Sequence, residues 1–280
     1  MRIVLLGHRD IASLLALHRL VTLSADHEYI TFFSDGAFSA NTAPVPELET
    51  LAADDAALVS RWVDGGFGVP PAEALSLDSP QILNAPNSTE GVTQLEALRP
   101  DLVVSIRYRR ILKDAAIAVP RLGVINVHSG PLPEYRGVMA TFWAMLNGER
   151  EIGTTIHRIV DGGIDTGPII DRLIQPVDIQ RSYLANVISL YRPACDRLSA
   201  VITARCNGES VESRSQTTGG SYYTMPGVED INRFKSAGYR LSDATDADCV
   251  TQHLDAQVQK VSKTTNGGGP VTASKWPDTF

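Results

Sequence analysis

The stretch Val124-Ile125-Asn126-Val127-His128-Ser129-Gly130-Pro131-Leu132-Pro133-Glu134-Tyr135-Arg136-Gly137 decides how this 280-residue chain is read. Together with Gly123 its first four residues form a short apolar run of strand length, and the Gly/Pro-rich segment Ser129–Gly137 ends that strand in a loop. Upstream, Asp101-Leu102-Val103-Val104-Ser105 is a second buried strand. It follows Glu90–Arg99, where Val92, Leu95 and Leu98 recur at helical spacing and Pro100 closes the helix. Ile111–Val119 reads as a helix between the two strands, stopped by Pro120. Near the start, Ile3–Leu6 is a strand ending at Gly7. Asp10 caps a helix through Ile11, Leu14, Leu15, Leu17 and Leu20, and Glu28–Phe33 is the next strand. Alternating strands and helices predict an α/β protein: a Rossmann-like open, mostly parallel sheet flanked by helices.

Downstream the expected elements are a helix over Met139–Leu146, strands at Glu151–Val160 and Ile169–Val177, and an amphipathic helix over Tyr183–Ala204 that tolerates Pro193. Residues 36–90 are punctuated by Pro44, Pro46, Gly65-Gly66, Pro70-Pro71, Pro80 and Pro86, and read as short helices and loops. Beyond Cys206 the chain turns rich in Ser, Thr and Gly, with one short helix at Val228–Ser236. The expected organisation is a main domain over 1–206, a small C-terminal appendage over 207–240 (a hairpin and a short helix) and a polar, poorly ordered tail over 241–280.

Charge narrows the partners. The formal net charge is −7, and residues 1–100 hold 13 acidic against 5 basic side chains, whereas residues 101–280 hold 19 against 20. Only five basic residues are Lys, and no dense basic stripe of the kind that tracks a phosphate backbone occurs, so nucleic acid is not expected as a partner. The longest apolar runs fall far short of the ~20 residues of a membrane span, and no membrane partner is expected. Three cysteines without CxxC spacing argue against a disulfide framework and a zinc site, and a cytoplasmic location follows.

Asn126 and His128 are alternate residues, so both point to one face at the carboxyl end of their strand, where open α/β sheets bind ligands. An Asn amide donates N–H, and a His donates or accepts near neutral pH, which suits stabilising a developing oxyanion and moving a proton in acyl transfer. Asp165, in the glycine-rich link between the last two strands, would favour and orient a protonated His128 if the fold brought them together. Each signal alone has a structural reading too: a hydrogen-bonded strand-end pair, a turn aspartate and, for His157, a satisfied core histidine.

In order along the chain, Asn126-x-His128-Ser129-x-x-Leu132-Pro133-x-Tyr135-Arg136-Gly137, Gly153-x-Thr155-x-His157 and Gly163-x-Asp165-x-Gly167-x-Ile169 resemble the formyltransferase domain that uses N10-formyltetrahydrofolate. That family includes glycinamide ribonucleotide transformylase, methionyl-tRNA formyltransferase and the sugar N-formyltransferases. The resemblance runs from about Met1 to Cys206 and is strongest over 101–170. It implies that Asn126, His128 and Asp165 are catalytic, with N10-formyltetrahydrofolate as the co-substrate that leaves as tetrahydrofolate. It also implies a cofactor site at Tyr108, Arg110, Ile111 and Leu112, closed by the loop carrying Val160, Asp161 and Gly163. Arg107 departs from the pattern, standing where many relatives have a small residue, often glycine. Its side chain must point away from the slot or meet the cofactor's glutamate.

Among acceptors, the loop Gly7-His8-Arg9-Asp10-Ile11 lacks the glycine- and Ser/Asn-rich nest that cradles a phosphate in glycinamide ribonucleotide transformylase. Residues 201–280, with 8 basic and 9 acidic groups, do not read as the basic barrel of the tRNA enzyme. The folate-hydrolysing relatives carry an additional N-terminal domain, whereas this chain starts on its first strand. The expected acceptor is a small amine, foremost a nucleotide-linked amino sugar, held by His8, Arg9, Ser129, Tyr135, Arg136 and Trp143. The alternatives are an amino-acid-derived or other natural-product amine, hydrolysis of the formyl-folate, and a non-catalytic folate- or nucleotide-binding protein. Dimeric relatives imply a homodimer. Tyr222 and Tyr223 read as reaching the cleft, forming a dimer contact, or packing the appendage.

Overall fold

The computed structural model describes residues 1–36, 45–216 and 219–264, with side chains as far as residue 255. In chain order its strands are β1 (Arg2–His8), β2 (Glu28–Ser34), β3 (Gln81–Ile82), β4 (Leu102–Ile106), β5 (Val124–His128), β6 (Tyr135–Gly137), β7 (Glu151–Ile159), β8 (Ile169–Pro176) and β9 (Ser221–Tyr223). The helices are α1 (Ile11–Leu23), α2 (Pro46–Val63), α3 (Thr89–Leu98), α4 (Asp114–Ile117), α5 (Ala140–Leu146), α6 (Tyr183–Cys206), α7 (Val228–Ser236) and α8 (Asp246–Thr264). Seven strands form one sheet in the order β3-β2-β1-β4-β5-β7-β8. The first five are parallel, and β7 and β8 are antiparallel additions. The strand order reverses between β1 and β4, which opens a crevice at their carboxyl ends. A separate two-stranded sheet pairs β6 with β9.

Helix α1 is enclosed on every side: Ile11 to Leu20 are all buried, between the sheet and the long helix α6. One of those residues is Arg19, fully buried and paired with Asp196 of α6. A smaller core on the opposite face of the sheet gathers Val4, Leu6, Phe32, Leu95, Val103 and Leu112.

Three sequence expectations change. Residues 46–63, read as loops and short helices, form the 18-residue helix α2. Pro46 is not a breaker there but occupies the first turn, where no N–H is needed, with Glu47 and Glu49 beside it and Arg61 in the last turn. The helix expected over Ile111–Val119 shrinks to the single turn α4, while Ile111 and Leu112 stay outside it and line a cavity wall. The tail expected from residue 241 is helical over Asp246–Thr264 and docks on α1 and α6, burying Val250 and Leu254 completely. Its first residue, Asp246, accepts the Ser182 hydroxyl at 2.5 Å, a link across 64 residues that local periodicity cannot show. Residues 265–280, including Gly267-Gly268-Gly269-Pro270, lie outside the described residues. Among the described residues no helix is long and apolar enough to cross a membrane.

Candidate active site

Strand β5 places Asn126 and His128 on the same face at its carboxyl end, and its antiparallel pairing with β7 sets Asn126 opposite His157 and His128 opposite Thr155. The Asn126 amide nitrogen lies 3.0 Å from His157 Nε2. His157 Nδ1 lies 3.1 Å from the Arg158 carbonyl, which can only accept, so Nδ1 carries the ring proton and Nε2 accepts from Asn126. One amide N–H of Asn126 is thereby engaged, its plane is fixed, and the second N–H is left for a ligand.

His128 is oriented by similar logic. Its Nε2 sits 2.7 Å from the Tyr135 carbonyl and must donate to it. The nitrogen left to exchange a proton is therefore Nδ1, which faces Asp165 Oδ2 at 3.4 Å. Close approach of the loop makes this possible: a Cβ on Gly130 would lie 2.5 Å from the Ala140 methyl and 2.9 Å from His128 Nε2. Thr155 pins the same loop, accepting Leu132 N–H at 3.0 Å and donating to the Gly130 carbonyl at 2.8 Å.

Asp165 is reached by an unusual backbone, φ +55°. Its Oδ2 accepts the Gly137 N–H at 2.9 Å and its Oδ1 lies 3.5 Å from His157 Nε2. Gly137 itself has φ +96°, and a Cβ there would meet the Tyr223 carbonyl at 2.2 Å, so β9 can lie against it only because it is glycine. Burial alone would raise the Asp165 carboxyl. The facing His128, the nearby His157 and the Gly137 N–H outweigh burial and bring it down to about 2. Because the folded value lies below the ordinary 3.8, this carboxylate stabilises the fold above that value, and the stabilisation disappears as pH falls through about 2. The contribution is about 2 kcal/mol. Acid unfolding followed by circular dichroism is expected to show a loss over that window that is absent in Asp165→Asn.

Asn126, His128 and Asp165 floor a cavity of about 1650 Å³, larger than the roughly 300–1,000 Å³ typical of a single small ligand, so it has room for two reactants. Of the expected cofactor residues, Tyr108, Arg110, Ile111, Leu112 and Gly163 line it, whereas Val160 and Asp161 do not. Asp161 instead accepts the Gly163 N–H at 2.8 Å, closing its own turn. Tyr108 turns its hydroxyl to the Leu83 carbonyl, so its ring belongs mainly to the smaller core.

Of the expected acceptor residues, His8, Arg9 and Ser129 line the cavity, and Tyr135, Arg136 and Trp143 do not. The Tyr135 hydroxyl donates to Glu149 at 2.9 Å, and Trp143 Nε1 donates to the Thr224 carbonyl at 3.0 Å. Both rings stack on Tyr223, at 5.3 and 5.2 Å between centroids, and Arg136 reaches Gln216 at 3.4 Å. The three side chains brace the C-terminal segment from behind. Of the tyrosine pair, Tyr223 packs and the exposed Tyr222 borders the cavity.

At the N-terminus of α1 two carboxylates occupy the backbone donors. Asp10 Oδ1 accepts Ser13 N–H at 2.9 Å, and Asp55, from the unforeseen helix α2, accepts Ile11 N–H at 3.2 Å. Arg107 resolves its own departure from the motif. It adopts φ +59°, the left-handed region that glycine enters at least cost, and turns its guanidinium onto Asp10 at 2.9 Å. Burial opposes ionisation of Asp10, but Arg107 and Arg109 outweigh it and hold the carboxyl below the usual range. Burial, then the neighbouring Asp10, pushes the Asp55 carboxyl up. His8 is driven down to about 4 by burial and by Arg109, so it is neutral near pH 7.

The formyl transferase family matches residues 73–185, a segment that contains Asn126, His128, His157 and Asp165. Over this segment the chain carries a formyl transferase domain. A methionyl-tRNA formyltransferase of Legionella pneumophila (strain Paris) is 45% identical over 97 residues, 35% of this chain and 30% of that protein. One from Citrifermentans bemidjiense is 30% identical over 141 residues, 50% of this chain and 44% of that one. These matches span less than half the length of those curated relatives. Among solved structures, a sugar N-formyltransferase from a Shewanella species superposes with TM-score 0.55 at 18% identity, covering 90% of this chain and 87% of that one. An N-formyltransferase from Helicobacter canadensis, in complex with folinic acid and dTDP-3-aminofucose, does so with TM-score 0.54 at 18% identity, covering 87% and 84%. These structural likenesses describe the fold. Within the formyl transferase domain, sequence reasoning missed the orienting role of His157, whose cross-strand pairing was the available signal. It also missed Asp55 and Gln216, which lie outside the matched segment and carry no local signal.

Proposed function

We propose that this protein transfers a formyl group from N10-formyltetrahydrofolate to the amine of a small acceptor, foremost a nucleotide-linked amino sugar. The observation that carries the reading is the Asn126–His128–Asp165 geometry, in which a fixed amide N–H and a histidine Nδ1 backed by a carboxylate face one cavity. When bound, the folate would supply a formyl group carried on N10, the anilino nitrogen that serves as the leaving group. Asn126 donates its second N–H to the negative charge that develops on the formyl oxygen. His128 would offer its Nδ1 N–H as a second donor, give that proton to the folate nitrogen as its bond to the formyl carbon breaks, and regain a proton from the attacking amine. Asp165 stabilises the protonated imidazole and keeps Nδ1 on the cavity side. The non-helical segment through Arg110, Ile111 and Leu112 and the turn at Gly163 offer walls for a flat heterocycle.

Support for a small amine comes from two sides. Sugar N-formyltransferases share the fold over most of this chain. The two carboxylates at the α1 N-terminus occupy donors that would otherwise suit a phosphate, which disfavours a phosphoribosyl amine. The relatives matched in sequence are named for methionyl-tRNA, so that acceptor is one arm of the test. Purified protein with N10-formyltetrahydrofolate is offered nucleotide-linked amino sugars, amino-acid-derived amines and methionyl-tRNA. The expected result is tetrahydrofolate release and a product about 28 Da heavier for one small-amine class. Transfer to methionyl-tRNA alone would overturn the acceptor. Formate release without an amine would make the protein a hydrolase, and no turnover at all would favour a binding protein.

A further inference from the structure

Gln216 lies beyond the family match and beyond every motif in the chain, yet its side chain is bonded to the catalytic loop. Its amide nitrogen donates to the Asp165 carbonyl at 2.8 Å and to the Gly167 carbonyl at 2.8 Å. Both amide hydrogens are therefore used on two carbonyls of one tight turn. The opposite amide orientation would set an oxygen against two oxygens, so the assignment is fixed by chemistry. The carbonyl side of Gln216 receives Arg136 Nη2 at 3.4 Å. Two residues earlier, Arg214 exchanges both backbone hydrogen bonds with Ile169, each 2.8 Å, so the 214–216 strip runs alongside the 165–169 turn.

That turn needs holding. Asp165 has φ +55°, in the left-handed region that a non-glycine residue holds where its surroundings favour it. Gly167 is pressed against β7, where a Cβ would meet the Arg158 carbonyl at 1.7 Å. Relaxing Asp165 toward an ordinary φ would swing the carboxylate away from His128 Nδ1 and break its bond to Gly137. Gln216 clamps the turn on both sides of residue 166.

We infer that Gln216 is a positioning residue that holds the Asp165 turn in its left-handed conformation, so that the Asp165 carboxylate faces His128. This inference rests on the proposed formyl transfer for its kinetic consequence, but not for its structural one. The kinetic expectation is that Gln216→Ala lowers kcat by about 10–100-fold, the scale of an ångström-size misplacement, with KM for the acceptor within about twofold. In an Asp165→Asn background the same change is expected to cost little more, because both act through one contact. Gln216→Glu, which keeps the shape but loses both donors, should behave like Gln216→Ala. Equal losses in both backgrounds would overturn the inference.

A second readout is independent of turnover. Imidazole 15N resonances of His128 and His157, assigned with His128→Asn and His157→Asn variants, should titrate differently in Gln216→Ala than in the parent protein. The circular dichroism spectrum and melting of the variant, followed alongside, separate this from general unfolding. Unchanged histidine titration in a folded Gln216→Ala protein overturns the inference. Failure of the parent protein to transfer formyl groups would count against the function alone, with the NMR comparison still deciding the role of Gln216.

Discussion

Asn126→Ala and His128→Ala are each expected to lower kcat by about 10²–10³-fold, or ~2.7–4 kcal/mol of transition-state stabilisation, the cost of a lost oxyanion donor. The magnitude follows from how completely each side chain is fixed. Asn126 cannot rotate to compensate, because His157 Nε2 holds one amide hydrogen and the β5–β7 register holds the strand. His128 is a buried ring whose Nε2 is committed to the Tyr135 carbonyl, leaving Nδ1 as its one exchangeable nitrogen. Water can replace neither donor at no cost, since the preorganised N–H groups spend no reorganisation energy as charge develops. Because the two groups serve one developing charge, the double variant should cost little more than the worse single one. The measurement is kcat and kcat/KM with the acceptor found in the mass screen, on variants whose circular dichroism matches the parent. Parent-like turnover in both single variants would rule out the mechanism.

Asp196→Ala should lower the stability of the fold by about 3 kcal/mol. Arg19 lies in the middle of α1 with no side-chain exposure, and both its Nε (2.9 Å) and one terminal nitrogen (2.5 Å) donate to the same oxygen of Asp196 on α6. Removing the carboxylate strands a guanidinium in the layer between sheet and helices, which is worse than never having had the pair. The figure belongs at the lower end of the 3–5 kcal/mol range for a broken buried pair, because Asp196 is 32% exposed and already shares in solvent. Arg19→Met combined with Asp196→Ala should recover most of the loss, since an apolar chain of similar length fills the site without a charge. Urea unfolding of the three proteins compares these values directly. If Asp196→Ala unfolds at the parent midpoint, the buried pair contributes nothing to the packing of α1 on α6.

Much of this was written locally. The alternation of β5 is enough to put Asn126 and His128 on one face, and its apolar flanks are enough to bury the strand. Helix α1 announces itself through Asp10, which caps it as the pattern suggests. The C-terminal helix α8 was invisible because its apolar contacts, Val250 and Leu254, are sparse in a polar segment and are stabilised by α1 and α6. Tyr135, Arg136 and Trp143 looked like a pocket edge because they follow the motif directly. They face the other way because β9 arrives from some 80 residues downstream and offers Tyr223 and the Thr224 carbonyl as partners.

By itself, then, the sequence determined the α/β class, the strand carrying Asn126 and His128, and the chemistry those side chains can perform, because side-chain direction along a strand has a period of two residues. Only the tertiary structure decided which histidine nitrogen is left to move a proton, which Asn126 hydrogen is left for an oxyanion, and where the Asp165 carboxylate points. Those outcomes depend on hydrogen bonds to Tyr135, His157, Gly137 and Gln216, of which the last three join the site across 28 to 51 residues. No local pattern encodes such contacts, since they arise only when the order of strands in the sheet brings distant loops to the same carboxyl end.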